Sequence, residues 1–168
     1  RLEPVQETVR RLITMPGLSP LSAAVVISEI GLDMSRFPSA AHLISWAGLC
    51  PKNDESAGKR RSTRLRPGAP WLKAVLVQSA WCAVRVKASY LHALFQRLKA
   101  RRGPRKAIVA VAAAMLTAIY HMLKRGAAYH DLGPDHFQRT ERSRLATRLA
   151  RKLGELGFDV TLTQRAAT

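Results

Sequence analysis

The sequence is poor in acidic residues, and this imbalance limits what the protein can do. Asp and Glu number 11 against 28 Lys and Arg, which gives a formal net charge of +17. A chain this basic attracts a polyanion, most commonly DNA or RNA. The few carboxylates are scattered along the chain without the grouping of a Mg²⁺ site, so no metal ligands are predicted here. The alternative interpretation is a basic surface that serves solubility alone.

Cysteine and long apolar runs are also scarce. The two cysteines, Cys50 and Cys82, form no CxxC pair, which excludes a disulfide scaffold and a cysteine zinc cluster. Both lie beside apolar residues, which predicts buried free thiols in a reducing cytoplasm. The most apolar stretch, residues 107–123, is short and rich in alanine. It indicates a buried core helix, and no membrane association is expected.

Helical periodicity dominates what is present. Apolar spacing and Gly or Pro breaks predict helices over 3–14, 20–30, 39–46, 71–102 with a bend near 87–89, 105–125 and 136–153. Residues 157–162 are predicted as a short strand. The predicted fold is all-α, with long core helices and an irregular basic loop, or a short hairpin, within residues 49–70.

The first two predicted helices are joined by the sequence PGLS at residues 16–19. This arrangement resembles the helix-hairpin-helix, a unit that binds the DNA backbone. Gly17 allows a close backbone approach, and Ser19 begins a helix whose N-terminal end attracts phosphate. The sequence therefore predicts Gly17 and Ser19 as DNA contacts, although a glycine is more usual at the position of Ser19. An ordinary corner between two helices is the alternative.

The basic loop holds a serine among cations. Ser56 lies in the sequence DESAGKRR, which lacks the spacing of a phosphate-binding P-loop. Attack of a hydroxyl on a phosphodiester builds negative charge that Arg and Lys stabilise. A base for the hydroxyl proton is not evident in the loop. The predicted DNA-binding cations fall in this loop and around Gly103: Lys59, Arg60, Arg61, Arg64, Arg66, Arg101, Arg102, Arg105 and Lys106. Trp71 and Trp81 are predicted to pack in the core.

Five motifs in this order carry a resemblance to a known family: PGLSP at 16–20, WAGLCP at 46–51, SAGK at 56–59, RPG at 66–68 and GPRKA at 103–107. They resemble the C-terminal transposase domain of the IS110 family of insertion sequences, whose relatives include Piv-type DNA invertases. The resemblance covers most of residues 8–126. Ala57 stands where a glycine is common in the family.

The resemblance implies a reactive serine, here Ser56, that forms a covalent phosphoserine link with DNA during strand transfer. It also implies an N-terminal RuvC-like domain with four metal-binding acids, where Mg²⁺ is expected. An element-encoded guide RNA is a further implied partner, and the full-length protein is expected to be a homo-oligomer in the bacterial cytoplasm, associated with the nucleoid. The chain begins with Arg1 and is expected to be a fragment that lacks this domain, and to be inactive alone.

The expected organisation is a transposase C-terminal domain over residues 1–126, a linker over 127–135, and a basic helix and tail over 136–168. The function expected is that of a transposase or site-specific recombinase domain that binds DNA and supplies the nucleophile. The alternative is a non-catalytic helix-hairpin-helix module that binds DNA or RNA and in which Ser56 is inert.

Overall fold

The computed structural model describes residues 3–51, 54–56, 58–62 and 64–163. Regular structure in these residues is mainly helical, as predicted. The helices are α1 (Glu3–Leu12), α2 (Pro20–Ile30), a short 3-10 helix (Met34–Arg36), α3 (Ala40–Trp46), α4 (Pro70–Ala83), α5 (Tyr90–Arg102), α6 (Pro104–Arg125) and α7 (His136–Glu155). The strands β1 (Asp54–Ser56) and β2 (Lys59–Ser62) form an antiparallel pair within the basic loop.

Helix α6 is the centre of the core. Nine of its residues are buried, and it packs against α1, α3, α4 and α5, which agrees with the core helix predicted there. Of the described helices, α6 alone is long and apolar enough to cross a membrane, and half of its apolar window is buried inside the protein. This packing accounts for the apolar sequence of α6.

The prediction of one helical run from 71 to 102 was wrong, because the chain reverses between α4 and α5. Trp81 near the end of α4 contacts Phe95 of α5, with ring centroids 5.6 Å apart. Ser89 begins α5: its buried hydroxyl accepts a hydrogen bond from the His92 N–H at 3.2 Å and donates to the Val86 carbonyl at 2.7 Å. The reversal carries no Gly or Pro, so the breakers that mark the other helix ends are missing.

Helix α6 packs against both α4 and α5. Tyr90 and Leu91 at the start of α5 line a cavity with Met122 and Arg125 near the end of α6, so α5 and α6 are antiparallel. Helix α4 also packs against α6, and both helices end near the segment that follows α1, since Gly17 meets the last turn of α4 and Tyr129, just after α6, bonds to Thr14. The first turn of α4 and the corner at Gly103 therefore point to the same end of this layer. We call it the hairpin end, because β1 and β2 lead into α4 there.

Three further predictions about single segments were wrong. Residues 158–163 form neither helix nor strand, since no described segment pairs with them, and they are exposed. Cys82 is exposed on the outer face of α4, while Cys50 is half-buried; both are free thiols. Trp71 is 73% exposed and Trp81 43%, because the buried face of α4 is formed by other positions: Leu72, Leu76, Ser79, Ala80 and Ala83.

The predicted linker packs against the helical layer. Asp131 accepts hydrogen bonds from the N–H groups of Tyr90 at 2.9 Å and Gly133 at 2.7 Å. The Tyr129 N–H donates to the Thr14 hydroxyl at 2.9 Å, which ties the segment to the end of α1. The segment 127–135 therefore ties the end of α1 to the start of α5 and leads α7 back to α5.

Helix α7 is attached only by its first turns. The Phe137 ring stacks on Tyr90 with centroids 5.2 Å apart, and the guanidinium of Arg97 lies 5.0 Å from the Phe137 ring centroid. Arg97 also forms an ion pair with Glu141 at 2.7 Å. Beyond these contacts no described residue of α7 is buried, so most of this basic helix faces solvent.

Candidate nucleic-acid interface and serine hairpin

Ser56 lies at the tip of a two-stranded hairpin. It is the last residue of β1 and is in register with Lys59, the first residue of β2. Two residues separate them, as in the tightest hairpins. Gly58 has φ +73°, a conformation that favours glycine, whereas Ala57 lies outside the described residues. The Ser56 and Lys59 side chains are both exposed, so an extended polyanion can reach them.

The two arms of this hairpin are joined again at its base. Pro51 pairs with Leu65 as an antiparallel bridge, and the Arg66 N–H donates to the Cys50 carbonyl at 3.3 Å. We call residues 51–65, with β1 and β2, the serine hairpin. Since both arms are held at the base, the position of the tip is coupled to the helices on either side.

A backbone contact between two glycines fixes this base to the core. A Cβ on Gly68 would lie 2.4 Å from the Gly48 nitrogen and 2.5 Å from the Ala47 carbonyl carbon. Gly48 has φ +71°, and its own Cβ would lie 2.7 Å from the Arg66 carbonyl oxygen. No side chain fits between the two segments. Because Ala47 and Leu49 are buried, the contact anchors the serine hairpin between α3 and α4.

Exposed cations surround the hairpin. The side chains of Arg64 and Arg66 face solvent on the returning arm. Arg60 and Arg61 are part of β2, with Arg60 in register with Glu55, but the side chains of these three residues lie outside the described part of the structure. The backbone thus places the loop's predicted DNA-binding residues on one short projection.

The second predicted cationic group lies at the corner between α5 and α6. Gly103 ends α5 and precedes α6 directly, so both helices present their basic residues at one point. All four predicted side chains are exposed: Arg101, Arg102, Arg105 and Lys106. The ion pairs found among the described residues lie elsewhere, on α1, between α5 and α7, and on α7. The corner therefore keeps its positive charge and lies at the hairpin end.

The structure does not bring Gly17 and Ser19 to this group. A Cβ on Gly17 would lie 2.2 Å from the Ser79 carbonyl oxygen and 2.6 Å from the Ala83 nitrogen. The PGLS turn thus packs against the last turn of α4, away from the hairpin end. Gly17 is required there for close approach of two backbones, and its role as a DNA contact stays a prediction.

The groups that Ser19 would offer to a phosphate are used within the protein. Its hydroxyl accepts a hydrogen bond from the Ser22 N–H at 3.2 Å, and its own N–H donates to the Ser22 hydroxyl at 2.7 Å. This reciprocal pair is a capping box at the start of α2. The N–H of Leu18 donates to the Met15 carbonyl at 3.2 Å. Ser19 therefore has a clear structural role, and DNA binding by it remains a prediction.

The described residues do not complete an active site around Ser56. Among the side chains that the structure describes, none forms a hydrogen bond with the Ser56 hydroxyl, and no three His, Cys, Asp or Glu residues are grouped as metal ligands would be. The donor set of this part of the chain does not fit a metal ion, so no metal-dependent step is assigned to it. What the hairpin offers is an exposed hydroxyl beside cations.

A family model described as "Transposase IS116/IS110/IS902 family" matches residues 9–96, more than half of the chain. This range includes the PGLS turn, the serine hairpin and α4. The chain belongs to this transposase family. The resemblance found in the sequence motifs is therefore confirmed.

Relatives in two bacteria agree with the assignment. The chain is 26% identical over 134 residues to a "Putative transposase y4pF/y4sB" of Sinorhizobium fredii, which covers 77% of this chain and 34% of the relative. It is 30% identical over 125 residues to the "Insertion element IS110 uncharacterized 43.6 kDa protein" of Streptomyces coelicolor, covering 73% and 30%. The chain thus spans about a third of the length of these relatives.

A third relative is more similar over a shorter stretch. The "Mini-circle putative transposase for IS117" of Streptomyces coelicolor is 48% identical over 48 residues, which is 29% of this chain and 12% of the relative.

Sequence reasoning missed one exposed residue of the interface, Trp71. It is the second residue of α4 and follows Gly68 by three positions. A signal was available, because Leu72 and Leu76 are one helical turn apart and place Trp71 beside the buried face rather than on it. The structure therefore adds an exposed indole beside the base of the cationic hairpin.

Proposed function

We propose that this chain is the DNA-binding part of a transposase and that Ser56 is the nucleophile of strand transfer. The observation that supports this most directly is the exposed Ser56 hydroxyl at the tip of a tight hairpin beside Lys59. Membership in a transposase family and the net charge of +17 agree with DNA as the partner.

The proposed reaction is a transesterification at phosphorus. The Ser56 Oγ forms a bond to phosphorus while one bridging P–O bond of the DNA breaks, and the departing DNA oxygen takes up a proton as the serine loses one. The phosphoserine ester conserves the energy of the phosphodiester. A hydroxyl of another DNA strand then attacks the same phosphorus and releases Ser56, so no external energy source is required.

In this proposal the cations of the hairpin end stabilise the charge of the transition state and position the DNA strand. Lys59 is in register with Ser56 and stabilises the negative charge that develops on the phosphoryl oxygens. Arg64, Arg66 and the corner around Gly103 bind neighbouring phosphates, which positions the strand without reading its sequence. Arg60 and Arg61 are proposed contacts of the same kind.

A base for the Ser56 proton is a further requirement of the reaction. We propose that a metal-binding N-terminal domain of a longer transposase supplies it, so that this chain alone binds DNA without cleaving it. Homo-oligomer formation and binding of an element-encoded guide RNA belong to the same proposal, and the full-length protein would act on DNA in the cytoplasm.

Covalent trapping tests the proposal. A full-length transposase that carries this chain should form a DNA adduct on Ser56, detected by denaturing electrophoresis and by mass spectrometry of the modified peptide. Ser56→Ala should abolish both adduct and strand transfer while DNA affinity stays unchanged. Ser62→Ala is the matched control, because Ser62 lies on β2 of the same hairpin, and it should retain the adduct.

Strand transfer that persists in Ser56→Ala would reject the nucleophile. The alternative from the sequence, a non-catalytic helix-hairpin-helix module, predicts that neither serine variant changes any activity. It also predicts that substitutions of Lys59, Arg60 and Arg61 weaken binding, as our proposal does, so adduct formation and strand transfer by Ser56→Ala distinguish the two.

A further inference from the structure

Trp71 is an unusual residue for its surroundings. Its indole is 73% exposed in a chain whose aromatic content is only 6%. Exposure of an apolar side chain at this position is not unusual in itself, since Leu21 is 76% exposed and is also the second residue of a helix that begins with proline. What separates the two residues is where they lie. Leu21 follows the PGLS turn, whereas Trp71 lies at the hairpin end.

The faces of the Trp71 ring are available to a ligand. Among the described residues, Trp46 pairs with Phe37 at a centroid distance of 5.7 Å and Trp81 pairs with Phe95, but Trp71 forms no aromatic pair. The backbone contact at Gly68 fixes the start of α4. The backbone that carries Trp71 is therefore held in place, so that binding has only the rotamers of the side chain to order.

The charge around Trp71 indicates what kind of ligand this is. The serine hairpin precedes Trp71 directly in the chain, and the ends of α4 and α6 lie near one another, so the start of α4 lies toward the end that holds the cations around Gly103. A planar aromatic surface between cations that bind phosphates matches a nucleotide strand, because phosphates and bases alternate along it. Single-strand binding proteins combine these two features.

We propose that Trp71 is a stacking surface for an unpaired nucleobase of a strand whose phosphates are held at the hairpin end. This inference rests on the proposed DNA-binding function and adds to it a ligand class and a residue. In a duplex both faces of each base are covered by its neighbours, so the indole can stack only on a base that has left the helix or lies at a strand end. Trp71 is a binding and positioning residue, and it takes no part in bond making.

The test compares affinities of the 168-residue chain for a fluorescein-labelled single-stranded DNA of mixed sequence, measured by fluorescence anisotropy. Trp71→Ala should weaken binding by roughly 5- to 100-fold, the range found for loss of one base–aromatic stack. Trp71→Phe should restore most of the affinity. Leu21→Ala, the matched exposed apolar residue, should leave it within about twofold, well below the loss of one stack.

An abasic strand separates stacking from other roles of Trp71. On an oligonucleotide that keeps its phosphates but lacks bases, wild type and Trp71→Ala should bind equally. A single-stranded RNA of the same sequence shows whether the base may come from either nucleic acid. A blunt duplex should show little dependence on Trp71.

The outcomes distinguish this inference from the proposed function. If wild type binds strands in a salt-dependent manner and Trp71→Ala binds the base-containing strand equally well, the stacking proposal is wrong while DNA binding stands. If Trp71→Ala weakens binding of the abasic strand as strongly as binding of the base-containing strand, Trp71 supports the structure of the protein and does not stack on a base. If wild type binds no nucleic acid, both proposals fail.

Discussion

Single residues in this protein are explained mainly by what surrounds them in space. The phenol of Tyr129 is an example, since it lies in the segment that ties α1 to α5 and donates a hydrogen bond to the Asp131 carboxylate at 3.3 Å. Burial, together with the negative charge of Asp131, raises the pKa of Tyr129 above its ordinary value. Burial also raises the pKa of Tyr90, which lies beside it.

This raised pKa predicts how the stability of the fold depends on pH. In the unfolded chain the Tyr129 phenol ionises near pH 10, whereas in the folded protein it stays neutral. The stabilisation is therefore fully present below about pH 10 and is lost as the pH rises through the higher folded pKa. Urea unfolding of wild type should show a falling free energy between about pH 9 and pH 11, and Tyr129→Phe should show a smaller fall.

Lysine side chains also titrate in this range. The contribution of Tyr129 is therefore the difference between wild type and Tyr129→Phe in how the free energy of unfolding changes with pH. At pH 8 the variant should lose only the hydrogen bond to Asp131, about 1 kcal/mol. If the free energies of unfolding of the two proteins fall in parallel above pH 9, the pKa of Tyr129 is the same in the folded and unfolded states, and the prediction is wrong.

Exposure of single side chains was the property least accessible from the sequence. The apolar spacing of α4 indicates which positions share a face, but not which face another element covers. Cys82 and Trp71 both follow apolar neighbours and were predicted to be buried, yet α6 covers the face of Leu72 and Leu76. Ser56 needed no such information, because a serine in a loop of cations is exposed by its composition.

The serine hairpin is the element on which the proposed chemistry depends. Its strands are only three and four residues long, and a two-stranded hairpin is marginal by itself. The close contact of Gly48 with Gly68 and the bridge from Pro51 to Leu65 supply the support that its short strands do not.

Gly68→Ala should therefore disturb the hairpin more than the core. The added Cβ would lie within 2.6 Å of three backbone atoms of residues 47 and 48, so the two segments must separate. We expect a loss of about 1–3 kcal/mol in the free energy of unfolding. Hydrogen exchange of the β2 amides should accelerate while exchange within α6 changes little, and adduct formation at Ser56 in the full-length transposase should fall.

Gly154→Ala is the control for this substitution. Gly154 lies within α7, and a Cβ there would meet nothing within 4 Å. Alanine should stabilise the helix slightly and leave the β2 amides unchanged. Equal exchange rates in Gly68→Ala and wild type would mean that the glycine contact does not support the hairpin.

The reversal between α4 and α5 shows the limit of reading elements from periodicity. Residues 84–89 keep an apolar pattern and contain neither Gly nor Pro, so they were predicted as a bend in one helix. Ser89 was the available signal, because a serine before a helical run favours an N-cap. The ends that carry Gly and Pro, at Pro20, Gly31 and Gly103, were predicted correctly.

At the scale of the whole molecule, the residues predicted to contact DNA are divided between two ends. The serine hairpin and the corner around Gly103 share one end, while the PGLS turn packs against the far end of α4. A strand bound along the hairpin end therefore has no need to reach Gly17 or Ser19. The helix-hairpin-helix pattern and the basic loop, both predicted to contact DNA, therefore lie at opposite ends of the helical layer.

Salt dependence of DNA binding tests this division. If about five phosphates are contacted, the logarithm of the association constant should fall with the logarithm of salt concentration at a slope of about −4 to −5. Replacement of the corner cations should reduce the magnitude of the slope by roughly 2, because the cations of the serine hairpin keep the remaining phosphate contacts. The variant carries glutamine at four positions: Arg101, Arg102, Arg105 and Lys106.

An equal change of net charge at the other end is the control. It replaces four exposed cations by glutamine: Arg10, Arg36, Lys124 and Arg125. We expect the slope to stay within about one of the wild-type value. Equal losses in both variants would indicate that DNA responds only to net charge, and a flat salt response of wild type would reject DNA binding by phosphate contacts.

The sequence by itself determined the helical elements, their proline and glycine ends, the basic charge and the serine among cations. These properties depend on the local spacing of residues and on composition, and both can be read directly from the sequence. The tertiary structure alone decided that Gly48 meets Gly68, that Gly17 packs on α4 and that Trp71 remains exposed beside the hairpin. The two glycine contacts join backbone segments that are far apart in the chain, and a single glycine leaves no periodic pattern in the sequence. The exposure of Trp71 depends on which face of α4 another helix covers, and the sequence of α4 does not contain that information.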